Sequence, residues 1–166
     1  MSERSAAPGA LALVESLVNT VDLESGSDAL DTAEGRARFG LAQHEVEQAR
    51  ELRESLRATL LAHAGHPPHR AVTPLGRLLA GAPLVVTVDE RDGTAALAPA
   101  DRGPLVSRVA AAVADALVEG TWARLKACEA ATCHWAYYDR SPAGRGRWCS
   151  MQVCGARAKM RRYRAK

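Results

Sequence analysis

Apolar residues recur at helical spacing near the start of the chain, and the polar residues 19–20 then interrupt the pattern. The spacing predicts a short first helix whose inward positions are Leu11, Val14, Leu17 and Val18. After a loop over residues 24–27, Asp31 is placed to cap a second helix whose third residue is Glu34. The pattern predicts that this second helix continues past Gly40.

The next amphipathic stretch predicts the longest helix of the chain. Its inward positions are Val46, Ala49, Leu52, Leu56 and Leu60. This helix should end near Gly65, and Pro67 with Pro68 predicts a loop. A further short helix is indicated by Leu75, Leu78 and Leu79. A last helix of this region should begin at Pro104 and stop at Gly120.

Two short segments have the composition of strands. Residues 84–88 form a compact apolar run with three valines and a threonine. Asp92-Gly93 predicts the turn that follows, and residues 94–97 the returning strand. The expected fold class is therefore α+β, with a mainly helical N-terminal domain that contains a small β-hairpin.

Charge and aromatic content divide the chain near residue 120. Residues 1–119 carry 11 Lys and Arg against 17 Asp and Glu, whereas residues 120–166 carry 11 against 2. Six of the seven aromatic residues lie in this basic segment: Trp122, Trp135, Tyr137, Tyr138, Trp148 and Tyr163. We predict a domain over residues 1–119 and a small module over residues 120–166. The excess of positive charge in the module favours an anionic partner.

All four cysteines lie in the basic segment, as two pairs with four residues between partners: Cys128 with Cys133, and Cys149 with Cys154. Thiolates in closely spaced pairs enclose a tetrahedral zinc ion well, and the 15 residues between the pairs are enough for a small hairpin. Four protein ligands leave no coordination position for a substrate, so the predicted role of zinc is structural. His134, beside Cys133, is an alternative ligand.

Two disulfides are the competing interpretation of the same cysteines, for which three pairings exist. The first 20 residues show no signal-peptide pattern, and no apolar run is long enough to span a membrane. These observations favour a cytoplasmic protein, and disulfides are rare in that compartment. The expected cofactor is therefore one structural zinc ion per chain, with redox-active thiols as a further alternative.

Two segments around the cysteines, residues 128–141 and 147–159, carry a specific pattern of cysteine, aromatic and basic residues. Together they closely resemble the CGNR zinc-finger family. The resemblance extends over residues 128–166, and residues 17–22 are similar to the start of the ABATE domain that precedes the finger in that family. Two positions differ from the family pattern. The Cys-Gly-Asn-Arg signature is here Cys154-Gly155-Ala156-Arg157, and the family's Ser-Arg-Asn is here Ser141-Pro142-Ala143.

The resemblance implies a bacterial regulator that binds DNA through the finger. It also implies an N-terminal domain that senses a small molecule or a stress signal. Asn19 and Asp22 are weak candidates for lining a sensory pocket in that domain, although capping or turn formation is the simpler role for both. The alternative role expected for the N-terminal domain is formation of a homodimer.

The end of the chain predicts a helix from about Met151 to Tyr163 or beyond. Its basic residues form two ridges, Arg157, Arg161 and Arg164 on one side and Lys159, Arg162 and Lys166 on the other. Between the ridges lies an apolar stripe that we expect to dock beside Trp148: Val153, Ala156, Met160 and Tyr163. A helix basic on two sides suits a groove walled by phosphates, and Arg145 and Arg147 would add contacts.

Other candidate residues have simpler expected roles. Three histidines are expected to belong to a polar loop and not to a metal site: His63, His66 and His69. Three aromatic residues are expected to pack in the finger instead of stacking on bases: Trp135, Tyr137 and Tyr138. Asp139 is expected to order the hairpin through local hydrogen bonds.

The chain lacks the short motifs of common enzyme classes. It has no glycine-rich phosphate loop, no nucleophile elbow and no His-Glu-x-x-His, so we do not expect an enzyme. The leading hypothesis is a DNA-binding transcriptional regulator. The alternatives are a zinc-stabilised protein or RNA interaction module, and a thiol-based stress sensor that releases its metal on oxidation.

Overall fold

The structure is a computed structural model that describes residues 6–165. Its helices are α1 (Leu11–Val18), α2 (Ala33–Ala37), α3 (Val46–His63), α4 (Leu75–Leu79), α5 (Leu105–Val118) and α6 (Ala156–Arg164). Its strands form two antiparallel hairpins, β1 (Leu84–Val88) with β2 (Ala95–Pro99), and β3 (Leu125–Ala127) with β4 (Ala136–Tyr138). The predicted α+β class is confirmed, and the four cysteines cluster just before α6.

The main hydrophobic core lies between α1, α3 and α5. It contains the inward positions that the pattern predicts in α1 and α3, together with Val109, Ala112 and Ala116 of α5. Leu125, Ala127 and Ala136 belong to the same core, so the β3–β4 hairpin packs directly against the N-terminal helices. The two predicted domains therefore share apolar packing across residue 120.

Both predicted boundaries of the second helix are wrong. Asp31 does not cap it; the Thr32 hydroxyl accepts the Gly35 N–H, and the helix begins at Ala33. The helix ends at Ala37, and Gly40 adopts a φ of +64°, a left-handed conformation that an α-helix cannot continue through. The other predicted helices and the β1–β2 hairpin are confirmed. No helix within residues 6–165 has the length and apolar character needed to cross a bilayer.

Candidate metal centre and the helix beside it

The four cysteines converge although the two pairs are far apart in sequence. Their Sγ atoms all lie within 4.8 Å of one another. Cys128 and Cys154 are buried, while Cys133 and Cys149 are partly exposed. No other group of three or more potential ligands of this kind occurs in the part of the chain that the structure describes. His134 stands outside the cluster, because its Nδ1 lies 3.0 Å from the carbonyl oxygen of Cys128.

The sulfur geometry fits a tetrahedral zinc ion and not disulfides. A tetrahedron with Zn–S bonds of ~2.3 Å has edges of ~3.8 Å between sulfurs. The Sγ atoms of Cys133 and Cys149 are 3.6 Å apart, and those of Cys149 and Cys154 are 3.7 Å apart. A disulfide would require ~2.05 Å, and all four cysteines are free. The cluster therefore matches one structural zinc ion held by four thiolates.

Crowding of the sulfurs explains why a cation belongs among them. Hydrogen bonds from the thiols of Cys133 and Cys149 hold the pKa of Cys128 well below its ordinary value. The bonds to Cys128 and Cys133, together with burial, raise the pKa of Cys149 well above its ordinary value. Four thiolates this close need a divalent ion to offset their mutual repulsion. Because all four positions are filled by protein, zinc here would hold structure and supply no open site.

The first cysteine pair lies on a tight turn at the end of β3. Cys128 follows β3 directly, and the N–H groups of Cys133 and His134 both donate to the carbonyl of Ala130. His134 has a φ of +49°, and among residues 6–165 it is the only residue other than glycine in the left-handed region. This conformation turns the chain back into β4, so that the Cys128 N–H donates to the carbonyl of Trp135.

A buried arginine of α3 connects this turn to the N-terminal domain. The Arg57 side chain is fully buried, and it donates to the carbonyls of Val18 and His134, each at 2.8 Å. Its Nε also donates to Glu54 at 3.1 Å, and Glu54 accepts from Arg53 at 2.8 Å. Burial raises the pKa of Glu54, but the charges of Arg57 and Arg53 outweigh it and hold that pKa below its usual range. The network therefore stays ionised while it fixes the metal turn.

Asn19 connects α1 to β4 from the other side. Its amide nitrogen donates to the Ala136 carbonyl at 3.0 Å, and its amide oxygen accepts the Ala136 N–H at 2.7 Å. Asn19 also lines a cavity of about 380 Å³ with Leu13 and Phe39. Asp22 is in an exposed turn, where it accepts the N–H of Glu24. The amide of Asn19 thus joins the two parts of the chain, and its predicted role in ligand binding stays a prediction, as does that of Asp22.

Two of the three histidines predicted to form a polar loop have structural contacts instead. His63 ends α3, where its Nδ1 lies 2.8 Å from the Leu125 carbonyl and its ring meets Trp122 edge-on. His69 Nε2 lies 2.9 Å from a Glu54 oxygen. The prediction of a polar loop is wrong for His63, which belongs to α3 and contacts β3, whereas His69 does lie in the loop that follows α3. Sequence reasoning missed these contacts, as it missed Arg57, since the contacts join residues distant in sequence.

The loop after β4 is ordered by Asp139, as predicted. Its buried carboxylate accepts from the Lys126 ammonium at 2.9 Å and from the N–H groups of Ser141 and Gly146 at 3.0 and 2.7 Å. Burial raises the pKa of Asp139, but these three donors outweigh it and hold the pKa well below its usual range. Tyr137 is buried and donates to the Gly146 carbonyl, so it packs in the finger as expected.

The second cysteine pair is linked by a π-helical turn over residues 151–155. The Ser150 hydroxyl accepts the Val153 N–H at its start, and α6 continues directly from its end. Gly155 is packed so closely that a Cβ there would lie 3.1 Å from the Met151 sulfur and 3.3 Å from Trp148. The glycine of the signature therefore lets this turn close over Trp148, with Cys154 aimed at the cluster.

The prediction that the apolar stripe of α6 docks on the finger is wrong. Val153 is 43% exposed, Met160 52% and Tyr163 78%. Among the described elements, the helix has its main packing with the π-helical turn that precedes it. Apolar and basic side chains consequently share an open groove, lined in part by Val153, Arg157, Met160, Arg161 and Arg164.

The predicted nucleic-acid-binding residues fall into two groups. Arg147 forms a two-bond ion pair with Glu129 and lies over the Trp148 ring, and Arg157 pairs with Glu24 of the N-terminal domain at 3.0 Å. The others are exposed and have no acidic partner among residues 6–165: Arg145, Lys159, Arg161, Arg162 and Arg164. Lys166 lies outside the described residues.

Comparison with known families agrees with this arrangement. The model of the ABATE family, described as "putative stress-induced transcription regulator", matches residues 10–120. The model described as CGNR zinc finger matches residues 124–166. A search of curated proteins finds no match. The second family match ends after α6, so it includes both cysteine pairs and the exposed basic helix.

Proposed function

The chain belongs to the ABATE family, whose match covers residues 10–120, and from this membership we propose that it is a bacterial, cytoplasmic transcription regulator that binds DNA through α6. The observation that carries the proposal is the group of free basic side chains on α6, beside a centre that zinc would make rigid. Lys159, Arg161 and Arg162 are exposed without an acidic partner in the described part of the chain. Such a surface attracts the phosphates of a duplex.

The groove on α6 offers two kinds of contact to DNA. Arg161 and Arg164 provide charge, while Val153 and Met160 lie beside them and are open to solvent. Arginine binds phosphates or guanine edges, and apolar side chains contact the methyl group of thymine. The groove is therefore suited to a base edge as well as to the backbone, which supports sequence-dependent binding by this helix.

A fluorescence anisotropy titration over a range of salt concentrations tests the proposal. Zinc-loaded protein should bind a duplex library with an affinity that falls as salt rises. The logarithm of the binding constant, plotted against the logarithm of the salt concentration, should have a slope of about −0.9 per phosphate contacted. Arg161→Gln with Arg164→Gln should weaken binding and reduce that slope by roughly two. The matched control is Arg38→Gln, an exposed arginine of the N-terminal domain, which should leave binding unchanged. Binding that is independent of salt, or equally strong in the double variant, would refute the proposal.

RNA is the second candidate partner, and one feature of α6 favours it. Tyr163 is 78% exposed and lies next in sequence to Arg162 and Arg164. An exposed aromatic ring among arginines suits stacking on an unpaired base. Competition between a duplex DNA and a single-stranded RNA of equal length separates the two partners. RNA should be favoured as the partner if it displaces the bound duplex more effectively than competitor DNA does, and if Tyr163→Ala removes this preference.

The N-terminal domain is proposed to receive the signal and to bring two chains together. For a small-molecule signal, a cavity of about 280 Å³ between α3 and α5 is available, with Leu52, Leu78 and Leu105 among its lining residues. An oxidative signal would instead act on the finger, where the partly exposed Cys133 and Cys149 are the accessible thiols. Zinc release on addition of mild peroxide, followed with a chromogenic chelator, distinguishes these signals. Retention of zinc would exclude the thiol-based signal.

A further inference from the structure

The β1–β2 hairpin presents an uncharged strand edge, and we propose that a second copy of the chain pairs with the edge of β1 across a twofold axis. This inference rests on the proposed function only in requiring two chains, and it specifies the surface that joins them. Three valines of β1 are exposed, Val85 by 45%, Val86 by 70% and Val88 by 59%. Leu117 and Val118 at the end of α5 are also exposed, by 61% and 80%. Hydrophobic exposure of this kind marks an interaction surface.

The hairpin is small, and helix α5 supports its second strand more than its first. It has two strands of five residues and forms a sheet of its own. An isolated two-stranded hairpin is marginal in water, and it needs either further strands or packing against a helix. Helix α5 packs mainly on β2, so β1 keeps exposed apolar residues. Addition of strands at its edge would supply the missing pairing.

The backbone of β1 directs alternate groups away from β2. The Asp89 N–H donates to Thr94, and the Pro83 carbonyl accepts from Ala100, so residues 83, 85, 87 and 89 face β2. The N–H and carbonyl groups of Leu84, Val86 and Val88 consequently point outward. They have no backbone partner in the part of the chain that the structure describes. An unpaired edge of this kind is a template for another strand.

The twofold pairing centred on Val86 uses all of these outward groups. Val86 faces its own copy, and Leu84 faces Val88 of the second chain on either side of it. Each of these three pairs exchanges two hydrogen bonds, because all of its N–H and carbonyl groups point outward. The charged residues of the turn do not oppose one another, since Asp89 would lie opposite Pro83 and Glu90 opposite Ala82. A second copy therefore fits this edge without like-charge repulsion.

The opposite edge of the hairpin explains why assembly stops at two copies. On β2 the outward groups belong to Ala95, Leu97 and Pro99, by the same alternation. Pro99 has no N–H to donate, and proline on an edge strand blocks further pairing. The twofold contact between β1 strands is thus closed, and it gives a four-stranded sheet whose outer strands each carry a proline.

Charge variants at Val86 test the interface, because this residue would lie opposite itself. Sedimentation velocity of the zinc-loaded wild type, without nucleic acid, should give twice the mass of one chain. Val86→Lys and Val86→Glu should each halve that mass, because like charges would then be directly opposite. An equimolar mixture of the two variants should recover the dimer. Ala96→Lys, on β2, is the matched control and should remain dimeric.

The outcomes of this experiment are separable from those of DNA binding. Circular dichroism and zinc content verify that each variant is folded. A wild type that is monomeric up to its solubility limit would overturn the proposal. A dimer that persists in Val86→Lys, or single variants that stay monomeric when mixed, would also overturn it. Because no nucleic acid is present, failure of the dimer would leave the role of α6 in DNA binding untouched.

Discussion

The two cysteine pairs have opposite surroundings, although both belong to one basic segment. The first pair begins at the end of β3, in a turn held by Arg57 and packed on the core of the N-terminal domain. The second pair leads into α6, whose side chains are exposed. A single zinc ion would be coordinated by both pairs. In this arrangement zinc would transmit the rigidity of the first region to a helix that has little packing of its own.

Basic residues have different roles in the two regions. Lys126 is buried against Asp139, and Arg124 donates to the carbonyls of Asp139 and Ser141, so both stabilise the finger. On α6, Arg161 and Arg164 have no such partners among residues 6–165. The net charge of the segment therefore overstates the number of basic side chains that are free to bind an anionic partner. Burial and pairing decide which cations are available.

The anchored region is the first cysteine pair with the β3–β4 hairpin, as packed on the N-terminal helices. Arg57→Met should have the largest effect on it. The substitution removes three donated hydrogen bonds and leaves Glu54 with one fewer counter-charge in a buried site. Loss of one partner of a buried ion pair costs about 3–5 kcal/mol of unfolding free energy. Urea denaturation of the zinc-loaded protein measures this loss, with the exposed Arg38→Met as control. A loss no greater than that of the control would mean that the anchor at His134 is dispensable.

Asn19→Ala should have the next largest effect, because it removes both hydrogen bonds to Ala136. A buried N–H and carbonyl left without partners cost roughly 1–3 kcal/mol. Asn19→Asp is a sharper variant, since its carboxylate accepts the Ala136 N–H but cannot donate to the carbonyl. Its unfolding free energy, measured by urea denaturation, should lie between those of the wild type and the alanine variant. Equal stability of all three proteins would show that α1 does not hold β4.

Acidification should weaken the anchored region through His63. Burial lowers the pKa of His63 below the ordinary 6.5, and the Leu125 carbonyl only partly opposes this. As pH falls below 6.5, the unfolded chain takes up a proton that the folded chain refuses, so stability decreases until the folded pKa is reached. His63→Gln should flatten this decrease in the range below pH 6.5. His44→Gln, at an exposed site, is the control, and an unchanged slope in His63→Gln would contradict the assignment.

The smallest effect is expected on α6 and on the π-helical turn before it. Val153→Ser, Met160→Ser and Tyr163→Ser should each change the unfolding free energy by less than about 0.5 kcal/mol, because these side chains are exposed. Leu125→Ala, in the core, should cost about 2–5 kcal/mol by comparison. Large losses at the α6 positions would show that the stripe packs on the finger after all.

The predictable parts of this molecule are those that depend on local pattern. Paired cysteines indicated the metal centre, and apolar spacing indicated α1, α3 and the β1–β2 hairpin. Contacts between distant segments left no local signal. Nothing near Arg57 in the sequence indicates a bond to His134, and the amide of Asn19 finds its partner 117 residues away. The stripe on α6 was misjudged because amphipathic spacing does not reveal whether a partner surface lies opposite.

Metal analysis tests the central claim most directly, namely that one zinc ion joins α6 to the anchored region. Purified protein should contain one zinc per chain, and replacement by cobalt should give the intense visible spectrum of a tetrahedral tetrathiolate site. Cys149→Ser with Cys154→Ser should abolish both the zinc and that spectrum. Protein without stoichiometric zinc, or a weak octahedral cobalt spectrum, would contradict the account.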